Sequence, residues 1–217
     1  MTQRADGVDP AHLDQVQATV SAAMDHGDGL RCVVAMPTPG GLVVEALLAE
    51  GAPGAERTTV LAAADLADDG SLDGIRWARI APAVPIEFDP AEVLADQDAA
   101  RPEGWAVFTS FVAALGEGPA AAAACFADGG VFSHAAYVPG RPRILVTGRH
   151  AIESAFADRR PGPPDLHVVA LVQVGRWVMI DGRANTPEGP RPFVSSFSVD
   201  PTGRLLRYVS AGVNRHS

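Results

Sequence analysis

Apolar positions near the start of the chain recur with a helical period. Leu13, Val16, Val20 and Met24 fall on one face of the segment Asp9–Asp25, DPAHLDQVQATVSAAMD. Asp9 is placed to cap this helix, Pro10 takes its first position, and His26-Gly27-Asp28-Gly29 stops it. Four strand-like runs follow, Leu30–Met36, Gly41–Ala49, Thr58–Asp65 and Gly74–Ile80, each bounded by glycine, proline or aspartate. Proline and acidic residues then dominate Ala81–Gly104, which reads as a linker with one short helix, Pro90–Gln97.

The pattern turns helical again at Trp105–Leu115 and Pro119–Ala127, two alanine-rich segments broken at a Gly-Pro corner. An ADGG turn leads into a short strand that carries His134. A loop, a short strand Ile144–Thr147 and a helix Arg149–Arg159 come next. Four runs then alternate like antiparallel strands: Asp165–Val174, Arg176–Asn185, Phe193–Asp200 and Arg204–Gly212.

The two halves align without a gap, Cys32–Asp65 against His167–Asp200. Val33 matches Val168, Val34 matches Val169, Gly40 matches Gly175, Val43 matches Val178, Gly54 matches Gly189 and Asp65 matches Asp200. The order of elements agrees as well, so the chain reads as a tandem with an incomplete first copy. The second copy is polar where the first is apolar: His167 stands against Cys32, Asp181 against Ala46, Arg183 against Leu48 and Ser195 against Val60. This fits a site in the second copy and a scaffold in the first. It fits equally a sheet that lacks helices and needs extra apolar cover.

Composition narrows the chemistry. With 47% hydrophobic and 20% charged residues, the balance is that of an ordinary globular chain of 217 residues. The net charge of −9 argues against nucleic acid or an anionic membrane as partner. No apolar run approaches the length of a membrane-spanning helix, and the polar start is unlike a secretory signal, so a cytoplasmic location is expected. All 17 basic residues are arginine, which excludes lysine Schiff-base chemistry and lysine-dependent phosphate loops. Cys32 and Cys125 lie in apolar runs and read as free, buried thiols. No metal-ligand spacing is present, so neither a metal nor an organic cofactor is expected.

The order helix, helix, strand, helix, long antiparallel sheet, carried by FVAALGEG, CFADGGVFSH, GRHAIESAF and FSVDPTGRLLRYVS, resembles the nuclear transport factor 2-like superfamily. The likeness covers Trp105–Val213 and is nearest to its SnoaL-like members. It implies an α+β fold, a cystatin-like cone with a curved antiparallel sheet wrapped around three helices. The expected organisation is a partial, degenerate copy over 1–84, a linker over 85–104 and a complete cone over 105–217. Cones of this superfamily pair through their open sheets, so the first copy is expected to take the partner's place in an internal pseudo-dimer; a homodimer is the other arrangement.

Within the resemblance, His134 stands where ketosteroid isomerases carry their general-base aspartate. Imidazole titrates near neutral pH and suits proton transfer. Phe111 replaces the isomerases' oxyanion tyrosine and Ser195 their protonated acid, which argues against ketosteroid isomerisation. Asp181 and Arg183, two apart on one strand, share a face and resemble the epoxide hydrolases' pair in reverse order. Those enzymes need a second acid where this chain has Ser210.

The expected function is therefore an isomerase, cyclase, dehydratase or hydrolase acting on a small, largely apolar molecule by acid–base chemistry. His134, Asp181 and Arg183 are the catalytic candidates. Phe111, Tyr137, His167, Trp177, Ser195 and Tyr208 are the substrate-binding ones. A non-catalytic binding or assembly module of the same fold is the alternative, and each of these residues also has a purely structural reading.

Overall fold

Asp9 accepts a hydrogen bond from the Ala11 amide at 2.8 Å and opens the first helix, α1 (Pro10–Ala23). Leu13, Val16 and Val20 are buried on one side of it, as the period requires. They pack on a meander of four strands, β2 (Leu30–Thr38), β3 (Gly41–Leu48), β4 (Thr58–Leu66) and β5 (Leu72–Ile80). In this computed structural model the described residues are 3–4, 9–23, 30–48, 58–96, 102–135, 143–157 and 164–215. Met24, the glycine stop after it and Tyr137 lie outside them.

Two short strands complete the first sheet. β1 (Gln3–Arg4) runs parallel to β2, and β12 (Asn214–Arg215), from the far end of the chain, pairs antiparallel with β5. The tight Thr38-Pro39-Gly40-Gly41 corner needs its last glycine, because a Cβ at Gly41 would run into the Ala64 carbonyl oxygen.

After the linker helix α2 (Pro90–Ala95), the second half begins with α3 (Gly104–Glu117) and α4 (Pro119–Ala124). They break at Gly118, whose φ of 137° suits only glycine and whose amide bonds back to the Ala114 carbonyl. β6 (Phe126–Ala135), β7 (Ile144–Thr147) and α5 (Arg149–Ala157) follow, then β8 (Leu166–Val174), β9 (Trp177–Thr186), β10 (Gly189–Val199) and β11 (Leu205–Gly212). The second sheet has the order β7-β6-β11-β10-β9-β8.

Two details differ from the sequence expectation. The sheet is mixed, because β6 and β11 run parallel. The ADGG segment is not a turn before the strand but an irregular stretch inside β6, where the register jumps between Phe126↔Leu205 and Val131↔Arg207. Gly130 is required there, since a Cβ would sit 2.9 Å from the Leu205 carbonyl oxygen.

The second sheet is covered on both faces. Phe108, Phe111, Ile152 and Phe156 of α3 and α5 pack on one side, against Val178, Ile180, Phe193, Phe197 and Tyr208. Trp177, Met179, Val194, Val209 and Ala211 point to the other side and meet Val34, Met36, Val43, Leu61 and Ala63 of the first sheet. The result is four layers: α1, first sheet, second sheet, and α3 to α5. Across the seam β2 lies against β8, β3 against β9, β4 against β10 and β5 against β11.

A polar cluster is buried in this apolar seam. Glu45 and Arg207 are both inaccessible and form a two-pronged ion pair, 2.5 Å from Nη2 to Oε1 and 3.2 Å from Nη1 to Oε2. Ser196 Oγ donates to Glu45 Oε2 at 2.5 Å, and Trp177 Nε1 donates to Ser196 Oγ at 2.8 Å. Arg207 Nε reaches the Pro85 carbonyl at 3.0 Å, which ties the linker to the same cluster. Every acceptor lone pair used here replaces a bond to water lost on burial.

Candidate functional site

The alternation of β6, β10 and β11 decides which side chains enter the space under the helices. On β6, Val131 belongs to the inter-sheet core and Phe132 to the helix side, so His134 is on the helix side too. Its ring is stacked alongside Phe132, with centroids 6.3 Å apart and planes 11° from parallel. On β11 the helix-side residues are Tyr208 and Ser210; on β10 they are Phe193, Ser195 and Phe197.

Strand register then aligns the polar members. Ser195 stands directly across the ladder from Ser210, and Ser210 directly across from His134. Ser195 Oγ donates to Ser210 Oγ at 2.8 Å and lies 3.2 Å from the Tyr208 hydroxyl. Ser195, Ser210 and Tyr208 are all buried, while His134, near the sheet's edge, is half-buried. Three adjacent strands thus present a continuous polar row, hydroxyl to hydroxyl to imidazole, within an aromatic wall. Ser210 enters this row although nothing in its local sequence marks it; only the parallel pairing of β6 with β11 does.

The wall is dense. Tyr208 has Phe111, Phe132 and Phe197 around it, at ring-centroid distances of 5.0, 5.9 and 6.0 Å. Phe132 and Phe156 meet edge-on at 4.8 Å. These offset and edge-on contacts are the favourable aromatic geometries. They rest α3 and α5 on the sheet and leave the phenol oxygen directed at Ser195. Phe111 of α3 therefore touches the ring of Tyr208, supplied by β11.

The other expected site residues lie elsewhere. Asp181 is on the inter-sheet face of β9, where both its oxygens accept from Arg76 of β5 at 3.0 Å. Arg76 also bonds Asp65 at 2.8 Å. Burial works against the Arg76 charge, but the two carboxylates outweigh it and hold its guanidinium above its ordinary pKa. Arg183 shares the Asp181 face, as alternation demands, and is exposed. His167 is its cross-strand neighbour and is exposed as well. Trp177 is fully buried in the seam, hydrogen-bonded to Ser196 and meeting Phe88 edge-on at 5.6 Å. The structure thus brings together His134, Phe111, Ser195 and Tyr208, and it separates Asp181, Arg183, His167 and Trp177 from them by the thickness of the sheet. The physical reason is parity: odd-numbered residues of β9 face the first sheet, and even-numbered ones face the helices.

Among the described residues no group of three or more His, Cys, Asp or Glu side chains is disposed to hold a metal ion. No described helix is long and apolar enough to cross a membrane.

No family model matches the chain, and no curated relative matches it. Solved structures similar to it include nuclear transport factor 2-like and ketosteroid isomerase-like proteins, the group that the sequence resembles. A protein from Sphaerobacter thermophilus is 21% identical over 52% of this chain and 96% of its own, with a TM-score of 0.39. A protein of ketosteroid isomerase-like fold from Catenulispora acidiphila, solved with trimethylamine, is 18% identical over 51% and 85%, with a TM-score of 0.39. An epoxide hydrolase of M. tuberculosis, described as LEH-like, is 18% identical over 49% and 80%, with a TM-score of 0.37.

Proposed function

We propose that the second half of the chain is a small-molecule enzyme module that performs acid–base chemistry under α3 to α5. The observation that carries this reading is the row Ser195–Ser210–His134, aligned by register across three strands and continued by the Tyr208 hydroxyl. An imidazole accepts a proton from a carbon acid or hydroxyl and returns it to a neighbouring atom of the same molecule, so no net proton is consumed. The hydroxyl row offers hydrogen-bond donors to the oxygen on which negative charge develops. Such donors are worth most where water is excluded, as the surrounding aromatic wall does. The apolar lining selects a largely apolar substrate, in an isomerisation, cyclisation, dehydration or hydrolysis.

A second reading, non-catalytic binding or assembly, is favoured by one observation. Phe111 packs on both Tyr208 and Phe156, at centroid distances of 5.0 and 6.2 Å, which fills the space beside the hydroxyls with rings rather than with room for a substrate. Asp181 and Arg183 have no part in the first reading, because they face away from the row.

The first half is proposed to act as the built-in partner of the second, a pseudo-dimer within one chain. Three strands of the first sheet lie against the strands that match them in the internal alignment, β2 against β8, β3 against β9 and β4 against β10. A monomer in light scattering is the expected result; a dimer joined through the second sheet would contradict it.

The functional test is a thermal-shift screen of apolar ketones, lactones and epoxides on the wild-type chain and on Ser195→Val. A compound that stabilises the wild type and loses its effect in the variant supports the reading. Stabilisation that survives Ser195→Val places the ligand elsewhere and sinks it.

A further inference from the structure

A groove of about 510 Å³ lies on the other half of the molecule, far in sequence from the hydroxyl row and separate from it. One wall is the end of the first sheet, Arg31 and Val33 of β2 with Leu47 of β3. The other is the linker, through Ile86, Phe88 and Asp89. Its size is within the range of about 300–1,000 Å³ typical of small-molecule sites. Val33, Leu47, Ile86 and Phe88 all belong to or pack against the inter-sheet core, so its floor is a continuation of that core.

The two lips carry opposite charges in unequal states. Asp89 is occupied: it caps α2, and its Oδ1 accepts from the Ala91 amide at 2.8 Å. Arg31 is exposed and makes no hydrogen bond or ion pair among the described residues, although a guanidinium has five donors. Of the two charged side chains that line the groove, Arg31 is thus the one with no protein partner among the described residues. Asp89 repels an anion placed at its own lip and so directs a negative head to the Arg31 end.

We propose that this groove is a second binding site, for a single-chain amphiphile with an anionic head. Arg31 receives the head group, and the tail lies along Val33, Leu47, Ile86 and Phe88. The site does not depend on the acid–base reading of the other half. A charge-assisted pair at the exposed Arg31 is worth about two- to five-fold in affinity over a neutral head on the same tail.

The test uses the whole chain with three probes of equal tail length, decanoate, decanol and decyltrimethylammonium, each below its micellar concentration. Calorimetry gives the affinities, and methyl NMR shifts of Val33, Leu47 and Ile86 give the location. The expected result is saturable decanoate binding, about two- to five-fold tighter than decanol, with shifts at those methyls. Arg31→Gln brings decanoate to the level of decanol. Ala91→Trp, at an exposed helical position on the groove's rim, removes both without unfolding the chain, while His134→Gln leaves both intact. The proposal is overturned if decanoate does not bind, if decanol or the cation binds as tightly, if Arg31→Gln changes nothing, or if the shifts fall on Ile152 and Ile180 under the helices.

Discussion

Replacing Glu45 by leucine tests how the two sheets are held in register. The substitution removes the acceptor of both Arg207 prongs and of the Ser196 hydroxyl, and it leaves the inaccessible Arg207 charge with only the Pro85 carbonyl. Breaking a buried pair by removing one member costs about 3–5 kcal/mol, because the remaining charge is uncompensated. In a chain of this size that corresponds to a loss of about 6–20 °C in melting temperature. Glu45→Leu combined with Arg207→Met removes both charges and leaves an apolar seam, so the double variant is expected to lose less than about 2 kcal/mol. The coupling between the two sites is then at least about 2 kcal/mol. Urea unfolding of the wild type, both single variants and the double variant measures all four values. A Glu45→Leu loss below about 1 kcal/mol, or losses that simply add, would refute the reasoning.

Two further outcomes follow from the same structure. Burial, helped by the nearby Glu45 carboxylate, pushes the Cys32 thiol up to about 12. An unfolded thiol ionises near 8.5, so the folded state holds the proton over that interval and stability falls as pH rises from about 8.5 to about 12. The full contribution is present below about 8.5, and Cys32→Ala is expected to reduce the slope, leaving the part that comes from Cys125, whose thiol burial also pushes up; denaturant titrations at pH 8 and 10 compare the two chains. Asp181→Asn, which weakens the pair with the mostly buried Arg76, is expected to lower stability by about 1–3 kcal/mol. It leaves ligand binding under the helices unchanged, since Asp181 faces the other way. A selective loss of binding at unaltered stability would return Asp181 to the site.

Local signals in the sequence announce nearly every element. The Asp9 cap with Pro10, the Gly118-Pro119 corner and the Gly148 entry to α5 are backbone requirements that only certain residues meet, so they are visible one at a time. The side of the second sheet on which a residue falls is not visible in this way. Both faces are buried, so β9 and β10 show no alternation of apolar with polar that would tell seam from interior. That is why Trp177 and Asp181 read as site residues and belong to the seam. His134, Ser195 and Tyr208 were legible as candidates from their positions in the resemblance and on the strands. Their union with Ser210 was not, because it depends on a parallel register between strands about 75 residues apart. The Glu45–Arg207 pair spans 162 residues and leaves no local trace at all.

On the proposed reading, His134 moves a proton for a small molecule held under the helices. The most direct measurement is the turnover of the best compound from the screen by His134→Gln, beside the wild type, with circular dichroism to show an unchanged fold. Glutamine keeps hydrogen bonding and removes the basic nitrogen, so a loss of about 10²–10⁴ in kcat is expected. Turnover within two-fold of the wild type would contradict the account, as would a compound that binds beside His134 and is never turned over.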